Sequence, residues 1–261
     1  MIKIPCSVAI LTRNSAETLE RALLSVKDFS DVLICDGGST DATVDIASRY
    51  GARIIRQDGA FLYEDGRIAD YGGVRNQCLR AAKESWFFYL DSDEYIDAGL
   101  AAEIAQVVRG EKAAYWIPRR YVFKGTVITC STGYPNQQMR LFHIDAVHGF
   151  IKRVHERIQL KDGTPVFWLR NYMYVPVGDD IADVRAKWNR YIALEEVRQP
   201  HITMRKALDL FLHEGAIGLR FFVRWLRLIF CRKTRMPLKN EFMRVWYQWQ
   251  LIKSVARRTL R

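Results

Sequence analysis

Three apolar runs, "CSVAILT" (6–12), "DVLICD" (31–36) and "WFFYLD" (86–91), recur between helical segments, and the last two end on an acid. A strand with water on one side alternates polar and apolar residues, whereas these runs are almost continuously apolar and demand cover on both faces. Between them the spacing changes to that of helices. Leu19, Ala22, Leu23 and Val26 share one face of a helix over 15–27, with Asn14 and Glu17 placed as a cap pair. "GGSTD" reads as a turn with a cap at Thr40 or Asp41, and "ATVDIASRY" as a helix stopped by Gly51. "ARIIRQ" follows as a shorter strand, and residues 73–83 as a helix. Strands and helices in alternation predict an α/β fold, a mostly parallel sheet flanked by helices.

Ligands of such sheets sit just beyond the carboxyl ends of the strands. That rule sets Thr12-Arg13-Asn14, Asp36-Gly37-Gly38 and Asp91-Ser92-Asp93 along one rim. A helix near 98–109 with Asp97 as its cap, strand-like pieces at 113–130 and 138–144, and a turn at Lys161-Asp162-Gly163 complete a first domain over 1–180. From 181 the pattern is helical, interrupted by Pro200 and Pro237.

The formal charge of +11 suggests nucleic acid until it is located. Residues 1–180 hold 22 Lys and Arg against 23 Asp and Glu, while 181–261 hold 18 against 6. The excess is C-terminal and is interleaved with Trp and Phe, as in "LRFFVRWLRLIF" (219–230) and "FMRVWYQWQLIKSVARR" (242–258). Arg220, Arg224 and Arg227 recur at helical spacing beside a bulky apolar side, a pattern that suits an anionic membrane surface or a contact with another copy of the chain. No nucleic-acid module accompanies the charge, so no nucleic-acid partner is expected. Neither a leader nor a transmembrane span is expected from the apolar runs. The five cysteines are dispersed, without zinc or disulfide-framework spacing, and suit a reducing cytosol.

The candidate chemistry lies on the rim. Asp36 ends a strand and precedes two glycines, which suggests an exposed carboxylate approached by a ligand. Its plainer reading is a turn-forming Asp. In "YLDSDEYID" (89–97), Asp91 and Asp93 can converge on one hard cation, which also relieves their mutual repulsion; Glu94 and Asp97 need be no more than local structure. Arg75-Asn76, after Gly72-Gly73, places a cation near a helix start, where phosphate binds well.

As an ordered set, "SVAILTRN", "ICDGGSTDAT", "GGVRNQCLRAA" and "WFFYLDSDE" resemble family 2 glycosyltransferases of the GT-A fold over about residues 5–97. "QQMRLFH" (137–143), "VHERI" (154–158) and "KWNRYIALEE" (187–196) are similar to the lipopolysaccharide-core, heptose-I glucosyltransferase-like subgroup. The resemblance implies an inverting transfer from a nucleoside diphosphate sugar, with UDP as the nucleotide and Mn2+ or Mg2+ as cofactor. It implies Asp36 at the uracil, Thr12 and Asn14 near the nucleotide, Arg75 in contact with it, Asp91 by the ribose and Asp93 on the metal. The base would be Glu156, with His155 beside it and Asp145 as a more distant candidate. The expected acceptor is a glycan or glycolipid at the inner face of the cytoplasmic membrane, where a cytoplasmic enzyme would attach peripherally. Many relatives carry Asp-Asp-Gly-Ser where this chain has Asp-Gly-Gly-Ser, one carboxylate fewer. Two rivals remain. A sugar-1-phosphate nucleotidyltransferase needs a Gly-rich N-terminal loop that "SVAILTRNSAETLE" lacks, and a non-catalytic membrane-surface protein would leave the acidic rim merely solvated.

Overall fold

A computed structural model describes residues 3–153, 156–199 and 201–260. In chain order the elements are β1 (Ile4–Thr12), α1 (Ala16–Ser25), β2 (Phe29–Asp36), α2 (Thr43–Arg49), β3 (Arg53–Arg56), α3 (Tyr71–Arg80), β4 (Trp86–Asp91) and β5 (Tyr95–Ile96). There follow α4 (Ala98–Val107), β6 (Ala114–Phe123), β7 (Thr126–Val127), β8 (Gln137–His143), β9 (Val147–Ile151), β10 (Arg157–Leu160), β11 (Val166–Trp168) and β12 (Met173–Pro176). Three helices close the chain: α5 (Ile181–Arg198), α6 (Met204–Ile229) and α7 (Leu238–Leu260).

The chain divides into two compact units. One runs to Arg120 and resumes over Asn136–Val175; the other is Tyr121–Pro135 with the chain from Pro176 onward. The break after Val175 falls five residues before 180, and Tyr121–Pro135 belongs with the C-terminal helices.

In the first unit the sheet order β3-β2-β1-β4 is parallel throughout. Beyond it β8 pairs antiparallel with both β4 and β6, so the sheet is mixed and the expected mostly parallel arrangement holds for its first four strands. Successive residues of the apolar runs point to opposite faces, and both faces are covered. Val8, Ile10, Ile34, Phe88 and Leu90 pack with Leu19, Leu23, Leu100 and Ile104 of α1 and α4. Ala9, Leu33, Phe87 and Tyr89 pack with Val74 and Cys78 of α3 and with Phe142 and Phe150. Each fully buried Phe or Leu contributes about 1.5–3 kcal/mol relative to exposure, which explains runs with no polar alternation.

Two local expectations are replaced by tertiary contacts. The start of α1 is Ser15, which makes no side-chain cap. Its free N–H groups are met from the start of α2 and the turn before it instead: Ser15 N–H donates to Thr43 Oγ1 at 2.7 Å and Ala16 N–H to Asp41 Oδ2 at 3.1 Å. Helix α3 begins at Tyr71 rather than 73, because Asp70 caps it by accepting from Gly73 N–H at 2.8 Å. Asp97 caps α4 as expected, accepting from Leu100 N–H at 2.9 Å.

In the second unit, α7 lies against α6 and α5, with Met243, Gln248, Ser254 and Val255 buried. Glu241 of α7 is wholly buried and accepts from Thr132 N–H at 2.9 Å, Thr132 Oγ1 at 2.7 Å and Ser131 Oγ at 3.1 Å. Arg224 donates to the Thr132 carbonyl at 3.1 Å, so it serves the interior of this unit rather than the cationic face expected of it with Arg220 and Arg227.

Candidate functional site

Strand register assembles the rim. Within the sheet, Thr12 pairs with Asp36 across β1 and β2, and Leu11 with Asp91 across β1 and β4. The three carboxyl ends therefore stop level with one another. Their last residues are Thr12, Asp36 and Asp91.

Asp36 is buried, 5% exposed, rather than open to a ligand. Its Oδ1 accepts from Thr12 Oγ1 at 2.8 Å and Ser39 Oγ at 2.5 Å; its Oδ2 accepts from Gly38 N–H at 2.9 Å and Ser39 N–H at 2.8 Å. The reason is the pair of glycines: Gly38 adopts φ +81°, which turns the chain back so that its own N–H groups close over the carboxylate. About four lone-pair positions exist on a carboxylate, and the protein fills all of them. Asn14, at φ +49°, clamps the same turn by accepting from Thr40 N–H at 2.8 Å, while its own N–H donates to Ser39 Oγ at 2.8 Å. Thr12, Asn14 and Asp36 thus build one loop.

Asp91 is the centre of a charge network. Its Oδ1 accepts from Arg75 Nη2 at 2.5 Å and its Oδ2 from Arg140 Nη2 at 3.0 Å. Arg75 and Arg140 are each 3% exposed, and their guanidiniums lie 4.6 and 4.4 Å from the centre of the Tyr89 ring. Burial pushes the Asp91 carboxyl up, but the two cations outweigh it and hold Asp91 far below the usual carboxylate range. Its side chain nevertheless stays 41% exposed, so an ionised carboxylate faces outward. Arg75 is not at a helix N-terminus as expected: with α3 starting at Tyr71 it falls in the second turn and faces the sheet.

Glu94 is more than local structure. It is 3% exposed, approaches Arg140 at 3.3 Å and Arg119 at 3.7 Å, and accepts from Asp91 N–H at 3.3 Å. Burial pushes its carboxyl upward and Arg140 opposes that rise. Asp93, between the two, is exposed on the rim, and its backbone carbonyl accepts from Arg21 Nη2 at 3.3 Å.

Glu156 reaches this network through α3. Phe150 N–H donates to Asn76 Oδ1 at 2.7 Å and Asn76 Nδ2 donates back to the Phe150 carbonyl at 2.8 Å; Tyr71 N–H donates to the Arg153 carbonyl at 2.9 Å. These bonds lay 149–153 along the helix and deliver Glu156 to within 3.7 Å of Arg75 Nε. His155, named with it, lies outside the described residues. Asp145 is not at the rim: β8 runs antiparallel to β4 with His143 opposite Trp86, so residues past His143 leave the sheet at its other end. There Asp145 is ion-paired to Lys112 at 2.6 Å, which lowers its carboxyl below the ordinary value.

The docking of 149–153 leaves no room at Gly72, where an added Cβ would stand 2.6 Å from the Lys152 carbonyl oxygen. Because that neighbour is backbone, Gly72→Ala is expected to destabilise by about 1–3 kcal/mol and to lower turnover by displacing Glu156. A thermal melt and steady-state kinetics check both effects.

A divalent cation would find few protein ligands. Among the described residues no group of three or more His, Cys, Asp or Glu converges, and the two arginines already hold both oxygens of Asp91. Asp93, exposed next to Asp91, adds a second carboxylate to the rim. That set fits Mg2+ or Mn2+ bound by one carboxylate together with a ligand's own phosphates, the usual mode for Mg2+ at nucleotide sites. It does not fit a resident all-protein metal cage.

Arg140 and Glu94 were not among the residues assigned from the sequence. Arg140 did carry a signal: a charge inside "MRLFH", within a buried strand, needs an acidic partner.

A family model described as "Glycosyl transferase family 2" matches residues 7–175. A TPR repeat-containing protein of Synechococcus elongatus is 35% identical over 123 residues, covering 46% of this chain and 28% of that protein. The lipopolysaccharide core biosynthesis glycosyltransferase LpsC of Rhizobium meliloti is 26% identical over 161 residues, covering 60% of this chain and 57% of that one. The chain thus spans less than two thirds of the length of either relative. Among solved structures, S. aureus TarS 1–349 in complex with UDP-GlcNAc aligns with a TM-score of 0.48 and 14% identity over 95% of this chain and 72% of that one.

Proposed function

Because the chain belongs to glycosyltransferase family 2, we propose that it moves a sugar from a UDP-sugar, with inversion, onto a lipopolysaccharide-core or related surface-glycan acceptor. The observation that carries this reading is the level rim where Asp91, held ionised by two buried arginines, stands beside the Asp36 loop and Glu156. The similarity to LpsC supports the choice of acceptor.

Each residue then has a task. Thr12, Asn14 and Asp36 hold the shape of the loop against which the nucleotide rests. Asp91 offers the ribose its two remaining lone-pair directions, and Arg75 and Arg140 keep it charged and fixed. Asp93 would hold Mn2+ or Mg2+ together with the donor diphosphate; when bound, such an ion withdraws charge from the departing nucleotide. Glu156 takes the proton of the acceptor hydroxyl as the new bond forms, on the face opposite the leaving group. Arg75 touches both Asp91 and Glu156 and sets their spacing. A glycolipid acceptor and the basic C-terminal segment suit work at the cytoplasmic face of a membrane.

Calorimetry with UDP tests the donor half. UDP is expected to bind at least about tenfold tighter with Mn2+ than without it, roughly 1.4 kcal/mol, and Asp93→Ala is expected to abolish that difference. Metal-independent UDP binding, unchanged in Asp93→Ala, would remove Asp93 from the metal role. A panel of nucleotide sugars offered to the same protein identifies the sugar.

A further inference from the structure

We propose that the outer face of α6 docks onto an anionic lipid bilayer, with the helix lying in the plane of the headgroups. Leu208, Phe211, Leu212, Leu219, Phe222 and Leu226 are 39–63% exposed. At 100° per residue they fall in one stripe about 100° wide, and they extend over roughly 27 Å of helix. A single exposed Leu is ordinary, but a contiguous apolar stripe of this length denotes a contact surface. It is not the side on which α6 packs: Leu228, about 150° round the helix from the middle of the stripe, is buried, and Ala207 is buried at its flank.

The stripe continues into a cavity. Phe222 stacks on Trp225 with centroids 6.0 Å apart, and Trp225 meets Phe242 edge-on at 5.1 Å. Trp225, Phe242 and Trp246 line a cavity of about 530 Å³ that also carries Arg185 and Lys239. The Arg185 guanidinium lies 5.2 Å from the centre of a Trp246 ring. Aromatic walls beside two cations match the order of an amphiphile, an apolar chain followed by an anionic headgroup.

Charge selects the bilayer over a second copy of the chain. Residues 181–261 carry 18 Lys and Arg against 6 Asp and Glu, so two such surfaces repel while anionic lipid attracts both. Arg220 and Arg227 are exposed on the flank of the helix, about 60–80° beyond one edge of the stripe, where long cationic side chains can reach headgroups of a bilayer the helix lies on. Among the described residues no helix is long and apolar enough to cross a membrane, so the contact is in-plane.

Flotation of the full chain tests this, with vesicles of phosphatidylcholine alone or mixed with phosphatidylglycerol. The protein is expected to float with the mixed vesicles and to lose at least about tenfold of its partitioning in Leu212→Glu/Leu219→Glu, with the thermal midpoint and UDP binding unchanged. Arg220→Glu/Arg227→Glu, or high salt on the unaltered protein, is expected to reduce binding to the mixed vesicles about tenfold. Unchanged flotation of the leucine variant overturns the proposal, as does binding indifferent to phosphatidylglycerol and to salt. Sedimentation gives the remaining outcome: a dimer that Leu212→Glu/Leu219→Glu converts to monomer, without vesicle binding, assigns the face to a second copy and overturns the lipid assignment.

Discussion

Replacing Glu156 with Gln is expected to lower turnover by roughly 10²–10⁴-fold, the usual contribution of a general base, while UDP affinity stays within about twofold. The substitution keeps the size of the side chain and its place 3.7 Å from Arg75 Nε, and removes the capacity to accept a proton. In the proposed reading the donor is held at Asp91 and the Asp36 loop, which keep their own contacts to Arg75 and Thr12, so binding and chemistry are expected to separate. Steady-state kinetics and calorimetry on the one variant decide the matter: a loss below about fivefold, or a loss of UDP binding of equal size, removes Glu156 from the base role.

The second large effect is on stability. Arg140→Met is expected to destabilise by about 3–5 kcal/mol, because removing one partner of a buried ion pair leaves its opposite charge uncompensated. Arg140 is 3% exposed and answers two carboxylates, Asp91 at 3.0 Å and Glu94 at 3.3 Å. Asp91 keeps Arg75 and an opening to water, whereas Glu94 is left buried with Arg119 at 3.7 Å. The cost therefore falls on Glu94. Arg140→Met combined with Glu94→Gln is expected to recover a substantial part of the loss, since the double change removes the stranded charge. At about 2–4 °C per kcal/mol for a unit of this size, the single variant should melt roughly 6–20 °C lower. Equal melting of the single variant and the unaltered protein would show that Glu94 is not held by Arg140. The two experiments together separate the groups that perform transfer from those that hold the performers in place.

Much of this architecture was legible along the chain. The runs "CSVAILT", "DVLICD" and "WFFYLD" announce strands covered on both sides, and the acids that end the last two mark where those strands stop. Asp97 at the head of an apolar helix could be read as a cap from its neighbours alone, and it is one. The same local logic misplaced the cap of α1, because the groups that meet its N–H donors, Thr43 and Asp41, come from the start of α2 and the turn before it, more than twenty residues on. It also left Asp36 open when two glycines fold the backbone over it.

What the sequence by itself determined is which residues must be buried and which acids must end up on the rim. Hydrophobic patterning is a local property of the chain, and so is the point where each apolar run gives way to polar residues. What only the tertiary structure decided is the pairing of charges. Arg140 stands 49 residues from Asp91, and Glu156 more than 60, so no spacing rule links them. They meet because β8 inserts antiparallel beside β4 and because α3 carries the 149–153 segment along its side. A buried charge must find its opposite, and the sequence states that need without naming the partner.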